Sequence, residues 1–317
     1  MNNPLLTLFT FVAAGSIAQA QDTAGATVKH DIGTKTIRVD LNGKLFTEFR
    51  YNQEKKPILY PIIGPHGIEM TRNYPMKKEV PGEAADHPHH TSLWFTHGNV
   101  NDSDFWANGE EKIVTKEIVR AEKDGTSVVI ESKNDWIAKD GKPVCSDTTT
   151  ITLGEANGNR FIDYLVTVHA SAGDVTFKDT KEGTMGIRTN PALRLKGDVA
   201  AGSAINSEGD KNGELWGKNA KWVDYWAKIN GNDVGIAIFD HTTNLRHPTT
   251  WHARDYGLIA ANPFGIHDFQ KLEKGTGDFT LKSGESQTFH YYFLFHEGDH
   301  AAADIPEKYD AWISGKK

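Results

Sequence analysis

The sequence predicts an all-β protein, a large antiparallel β-sandwich closed by one short C-terminal helix. Three observations carry this. Short runs rich in Val, Ile, Thr, Tyr and Phe recur from residue 34 to residue 295, each bounded by Gly, Asn or Asp, as strands joined by tight turns are. Asn42-Gly43, Asn157-Gly158 and Asn230-Gly231 fall between such runs, and Asn-Gly suits a two-residue hairpin turn with positive φ, so antiparallel pairing is expected. Only residues 301–314 carry a helical stripe, Tyr309, Trp312 and Ile313, with Pro306 tolerable in a first turn.

Taken in order, residues 1–20 read as a secretory signal peptide, with an apolar run over 5–14 and Ala18-Gln19-Ala20 before the expected cut. That run is too short to span a bilayer, and no later stretch approaches the roughly eighteen apolar residues a spanning helix needs. The mature chain, residues 21–317, is therefore expected to be exported, to a periplasm, as a single β-sandwich domain without membrane insertion. A formal net charge of −7 argues against nucleic acid or an anionic membrane as partner. Cys145 is the only cysteine, so no disulfide framework exists, and its place in the strand-like stretch 144–153 makes it a small core residue.

Strands are expected at 36–51 on both sides of Asn42-Gly43, then at 57–65, 126–136, 148–170, 223–240 and 288–298. In 160–170, Ile162, Tyr164, Val166 and Val168 alternate with Phe161, Asp163, Leu165 and Thr167, which gives one apolar and one mixed face. Both faces are apolar or aromatic over 288–295, as in a strand buried on two sides. The sheet system thus needs an inside and is most economically read as one sandwich.

The densest chemistry lies in DHPHHTSLWFTHGNVNDSDFW, residues 86–106, where His87, His89, His90 and His97, four of the fourteen histidines, occur together. Imidazole is the usual acid/base near neutral pH and the commonest metal ligand. An extended chain would put His87, His89 and His97 on one face and His90, Ser92 and Trp94 on the other. Satisfied structural histidines are the plain alternative for any single one, and no HExxH or paired-cysteine zinc motif is present. A second constellation spans 240–265, with His247, Trp251, His252, Arg254 and Tyr256. An Arg beside a His suits holding a carboxylate, phosphate or hydroxyl while the His moves a proton, and extension over 251–257 would aim His252, Arg254 and Tyr256 one way. Its plain alternative is a loop tied by Arg254 to Asp255. Arg72, in HGIEMTRNYP, and Glu182 and Arg188, in KEGTMGIR, complete the set.

Together DHPHHTSLWFTHGNVNDSDFW, KEGTMGIR and NLRHPTTWHARDYGLIAANPFG resemble the PmoA-like family, over residues 35 to 300. The resemblance implies a secreted β-sandwich similar to the galactose-mutarotase-like supersandwich of sugar epimerases and polysaccharide lyases. It does not carry the membrane-bound methane chemistry that the label evokes, since this chain shows no spanning segment. Mutarotase-like enzymes use a His as acid and a Glu as base across a sugar ring. That implies catalytic roles for His89, His90, His252 and Glu182, and substrate binding by Arg72, Trp94, Arg188, His247, Trp251 and Arg254, with tryptophan faces stacking on the sugar.

The leading expectation is an exported carbohydrate-active enzyme that moves protons on a sugar, by epimerisation or by lyase-type elimination. In one variant a divalent metal held by His87, His89 and His97 polarises a substrate oxygen. Two alternatives stand beside it. A non-catalytic carbohydrate-binding protein would show little pH dependence between about 5 and 8, where an ordinary His titrates. A metal-dependent oxidase is permitted by the histidine count and supported by nothing else.

Overall fold

The computed structural model describes residues 25–315; the expected leader lies outside them. In chain order the strands are β1 (Ala26–Asp31), β2 (Thr36–Leu41), β3 (Lys44–Arg50), β4 (Ile58–Ile62), β5 (Leu93–His97), β6 (Lys112–Asp124), β7 (Ser127–Ile137), β8 (Pro143–Ala156) and β9 (Asn159–His169). There follow β10 (Val175–Phe177), β11 (Gly183–Arg188), β12 (Ser203–Asn206), β13 (Trp222–Ile229), β14 (Asn232–Asp240), β15 (Trp251–Ala253), β16 (Leu258–Ala261), β17 (Phe279–Leu281) and β18 (Ser286–Glu297). The helices are α1 (Ile266–Gln270) and α2 (Ile305–Ile313). The first eight-stranded sheet runs β1-β2-β3-β4-β5-β11-β16-β15, the second runs β12-β13-β14-β18-β9-β8-β7-β6, and β10 pairs β17 apart from both. Every pairing between these strands is antiparallel.

The three Asn-Gly pairs make the turns expected of them. They join β2 to β3, β8 to β9 and β13 to β14, with φ of +51° and +72°, +52° and +79°, and +51° and +83°, the two positive values that a type I′ turn demands. Side-chain alternation then fills the sandwich. Phe46, Leu59, Phe95, Met185, Ile187 and Ile259 from the first sheet meet Ile130, Cys145, Ile162, Val166, Ile236 and Phe293 from the second in one continuous core. Cys145 is wholly buried there, and burial raises its thiol well above its ordinary range. β18 lies between β14 and β9. It turns Phe289, Tyr291, Phe293 and Phe295 inward, and its outer Leu294 packs with Tyr309 and Trp312 of α2.

The first sheet carries a third apolar group on its outward face: Ile58, Tyr60, Trp94, Trp106, Leu258 and Ala260. Within β5, β11, β15 and β16, odd and even positions separate cleanly. Leu93, Phe95, Met185, Ile187, Trp251 and Ile259 go to the core, while Trp94, Gly186, Arg188, His252 and Ala260 take the other side. This outer face is where the histidine-rich loops lie. Among the described residues no helix is long and apolar enough to cross a membrane.

Candidate functional site

A cleft of about 570 Å³ on this outer face is lined by His87, His89, His90, Asp104, Trp106, Ala107, Lys181, Glu182, His252, Arg254 and Tyr256. It brings the two sequence constellations into one pocket. A second groove, near Phe161, Tyr292 and Trp312, lies against the second sheet and holds none of these residues.

The His loop is a turn, not a strand: the His90 N–H donates to the His87 carbonyl at 3.0 Å. All three imidazoles, 87, 89 and 90, therefore reach the cleft, whatever their parity. Their rings form a column. Tyr256 stacks on His87 at 5.2 Å, His87 on His90 at 4.8 Å, and His90 on Trp94 at 5.5 Å. Trp94 is 1% exposed and forms the floor beneath them rather than a contact surface.

Asp86 organises this column. Arg72 Nη1 contacts its Oδ1, Arg188 Nη2 donates to Oδ1 at 2.9 Å and Oδ2 at 3.2 Å, and His87 Nδ1 lies 3.0 Å from Oδ2. Burial pulls the Asp86 carboxyl up, but Arg188, His87 and Arg72 outweigh it and hold it below its usual value. Arg72 also donates to the carbonyls of Tyr74, Ala84 and His87, so its guanidinium is spent pinning the loop. Arg188 Nη1 donates to His90 Nδ1 at 2.9 Å, which occupies that lone pair and leaves the His90 proton on Nε2. Burial, followed by His89 and Arg188, depresses His90 far below the ordinary imidazole range. It is a fixed neutral donor and not a base.

His252 and His89 differ from it. Burial and then Arg254 lower His252 to about 3, and burial and then Lys56 lower His89 to about 4. Both are neutral in ordinary buffers. His252 is 2% exposed with its Nδ1 unpartnered among the described residues, and it lines the cleft. Glu182 shares the cleft, with Lys181 Nζ 3.0 Å from its Oε1. Arg254 does not tie down Asp255; its guanidinium lies over Tyr256 at 5.3 Å and Trp216 at 6.0 Å.

Several expected site residues lie elsewhere. His97 continues the inward face of β5, packs against Phe177 and Phe264, and meets the Lys178 carbonyl at 2.7 Å. The expected metal set His87, His89 and His97 is therefore split by the sheet. Among the described residues no three His, Cys, Asp or Glu side chains are grouped to hold a metal. Trp251 is a core residue, fully buried, its indole N–H donating to the Ala220 carbonyl at 2.9 Å. His247 pairs with buried Asp240 at 2.7 Å in the loop after β14 and is not part of the cleft. Arg72 and Arg188, 2% and 1% exposed, support the cleft without facing it.

A family model matches residues 36–310. The chain belongs to the family of unknown function DUF6807. This match lends no support to the PmoA-like resemblance of the motifs. No curated protein matches the DUF6807 chain. Among solved structures it is similar to an α-galactosidase from Geobacillus stearothermophilus, at 10% identity over 86% of this chain and 41% of that one, with a TM-score of 0.41. A galactose mutarotase-like protein from Lactobacillus casei aligns at 10% identity, 86% and 100% coverage and a TM-score of 0.36. A polysaccharide lyase aligns at 13%, 87% and 33%, with a TM-score of 0.32. The chain thus spans about two-fifths of the length of the α-galactosidase.

Sequence reasoning assigned no role to Asp86, Asp104, Lys56 or Tyr256. Tyr256 carried a signal, since it shares the parity of His252 and Arg254. Lys56 carried none: it lies in a polar run, yet it is 2% exposed, donates to the His89 carbonyl at 2.8 Å, sits 5.2 Å over the Trp94 ring, and is lowered by burial to about 7.

Proposed function

We propose that this protein is an exported carbohydrate-active enzyme that transfers protons on a sugar, by epimerisation or by elimination of a glycosidic bond. The observation that carries the reading is the meeting of His89, His252, Glu182, Arg254 and Tyr256 in one cleft with an aromatic floor. His252 is the base. It is neutral, and its imidazole, which lines the cleft, can take a proton from the carbon beside a carbonyl or carboxylate. The electron pair left on that carbon delocalises onto the oxygen, where the Arg254 guanidinium steadies the charge. The acid is Tyr256 rather than a histidine. Burial raises its phenol above the ordinary value, against the pull of Arg254 and Arg188, so it retains a proton to deliver. Delivery to the opposite face of the carbon gives the epimer, and delivery to the departing glycosidic oxygen completes an elimination. His89 and Glu182 bind hydroxyls beside them.

The pH test that sequence alone suggests does not separate enzyme from binding protein, because both cleft imidazoles that could act as bases titrate well below 5. These two imidazoles therefore contribute no step from about 5 to 8 under either reading. Substitution separates them instead. His252→Gln and Tyr256→Phe should each cost about 10²- to 10⁴-fold in turnover while sugar binding persists, read by the ultraviolet absorbance of an unsaturated product or by NMR of the epimer. Wild-type protein that binds sugars but turns none over would establish the binding module.

A further inference from the structure

The cations around the cleft are unequal. Arg72 and Arg188 are committed to Asp86, and Lys181 is committed to Glu182. Arg254 is not: no carboxylate and no hydrogen-bond acceptor meets its guanidinium among the described residues, and its contacts are the ring faces of Tyr256 and Trp216. A planar guanidinium braced on aromatic faces loses little freedom on binding and keeps its N–H fork directed along its edges, the geometry that grips two oxygens of one anion. The other carboxylate of the lining, Asp104, is taken up by the main-chain N–H groups of Trp106 and Ala107, at 2.9 and 3.0 Å.

His252 adds a second, independent feature. Two residues before Arg254 and on the same side of the chain, it is 2% exposed, and its Nδ1 has no partner among the described residues. An unpaired nitrogen that deeply buried is costly unless something fills it. A ligand that sets an anionic group on Arg254 places its neighbouring hydroxyl or acidic C–H against the His252 ring, which lines the same cleft.

We infer that Arg254 is the docking point for an anionic substituent, a carboxylate or a phosphate, on the sugar that this cleft holds. The inference rests on the sugar reading above and adds the charge of the substrate to it. A carboxylate on the ring has a further consequence, since it acidifies the adjacent C–H from which His252 would take its proton.

The test is calorimetric binding of D-galactose, D-galacturonate and D-galactose 6-phosphate to the purified protein, wild type and variants, at pH 7 and low salt. One of the charged sugars is expected to bind about ten- to hundred-fold tighter than galactose, and which one it is identifies the anion. In Arg254→Gln that preference should collapse toward unity, and Arg254→Lys should restore part of it, with both variants melting cooperatively. Galactose binding as tightly as both charged sugars, or a preference untouched in Arg254→Gln, overturns the inference and leaves the sugar reading standing. No binding of any of the three overturns both.

Discussion

At the scale of single residues the cleft depends on Asp86 more than on any histidine. Its carboxylate is the counter-charge for two guanidiniums that are almost wholly buried, Arg72 and Arg188, and it also orients His87. Removing one partner of such a group leaves uncompensated charge in a poorly solvated place, which costs far more than the pair contributes when intact. Asp86→Asn preserves shape and removes only the charge. Because Asp86 itself is 39% exposed, solvent moderates the loss, and we expect about 2–4 kcal/mol from urea denaturation. The Tyr256-His87-His90-Trp94 column should loosen with it and change the near-ultraviolet circular dichroism. Stability equal to wild type would mean that the carbonyls around Arg72 suffice to hold its charge.

At the scale of elements, β11 shows how closely the strands and the cleft are fitted. Gly186 lies between the β5 and β16 backbones, and a Cβ there would come within 2.9 Å of Trp94 and 3.2 Å of Trp106. Gly186→Val is therefore expected to cost about 1–3 kcal/mol by overpacking and to displace the floor, shifting the tryptophan emission. An unchanged spectrum and melting point would show that the floor yields freely. The same strand shows what was legible in the sequence. In β8 and β9 burial on one side writes a period of two into the chain, whereas β13, β14 and β18 are legible from their long β-rich runs and from the Asn-Gly turn between β13 and β14. The strands under the cleft are short, and both of their faces are covered, so β5, β11, β15 and β16 have no exposed side to betray the alternation. His97 and Trp251 looked like site residues for that reason: their inward direction follows from strand boundaries that only pairing partners define. The shared pocket is legible as two clusters alike in composition, but their meeting depends on β11 lying between β5 and β16, a long-range arrangement without local signal. The edge strand β6, mostly exposed and charged, was invisible for the opposite reason, since it buries too little to show a pattern.

At the scale of the whole molecule, the buried histidines make folding acid-sensitive at an unusual point. His97 and His89 are lowered to about 4, His252 to about 3, and His90 further, all chiefly by burial, whereas in the unfolded chain each titrates near 6.5. Between those values the unfolded state binds protons that the native state refuses, so stability rises with pH across that window and is lost as pH falls from about 6.5 toward 4. His296 works the other way. Burial lowers it, but its partner Asp224, 2.9 Å away, raises it on balance, so its contribution is complete below about 6.5 and is lost as pH rises through its folded value. One raised histidine against several lowered ones leaves the acid side the weaker. Denaturation free energies should therefore fall between pH 7 and pH 5, before ordinary carboxylates titrate, with each fully excluded imidazole adding a slope of up to about 1.4 kcal/mol per pH unit. His97→Gln isolates one of them, because the amide can still donate to the Lys178 carbonyl while having no proton to gain. Its curve should be flatter than wild type by up to one proton over this range, whatever its absolute stability. A wild-type curve that stays level or climbs as pH falls from 7 to 5 would mean that these imidazoles charge within the fold, and the assignment of His252 as a neutral base would fall with it.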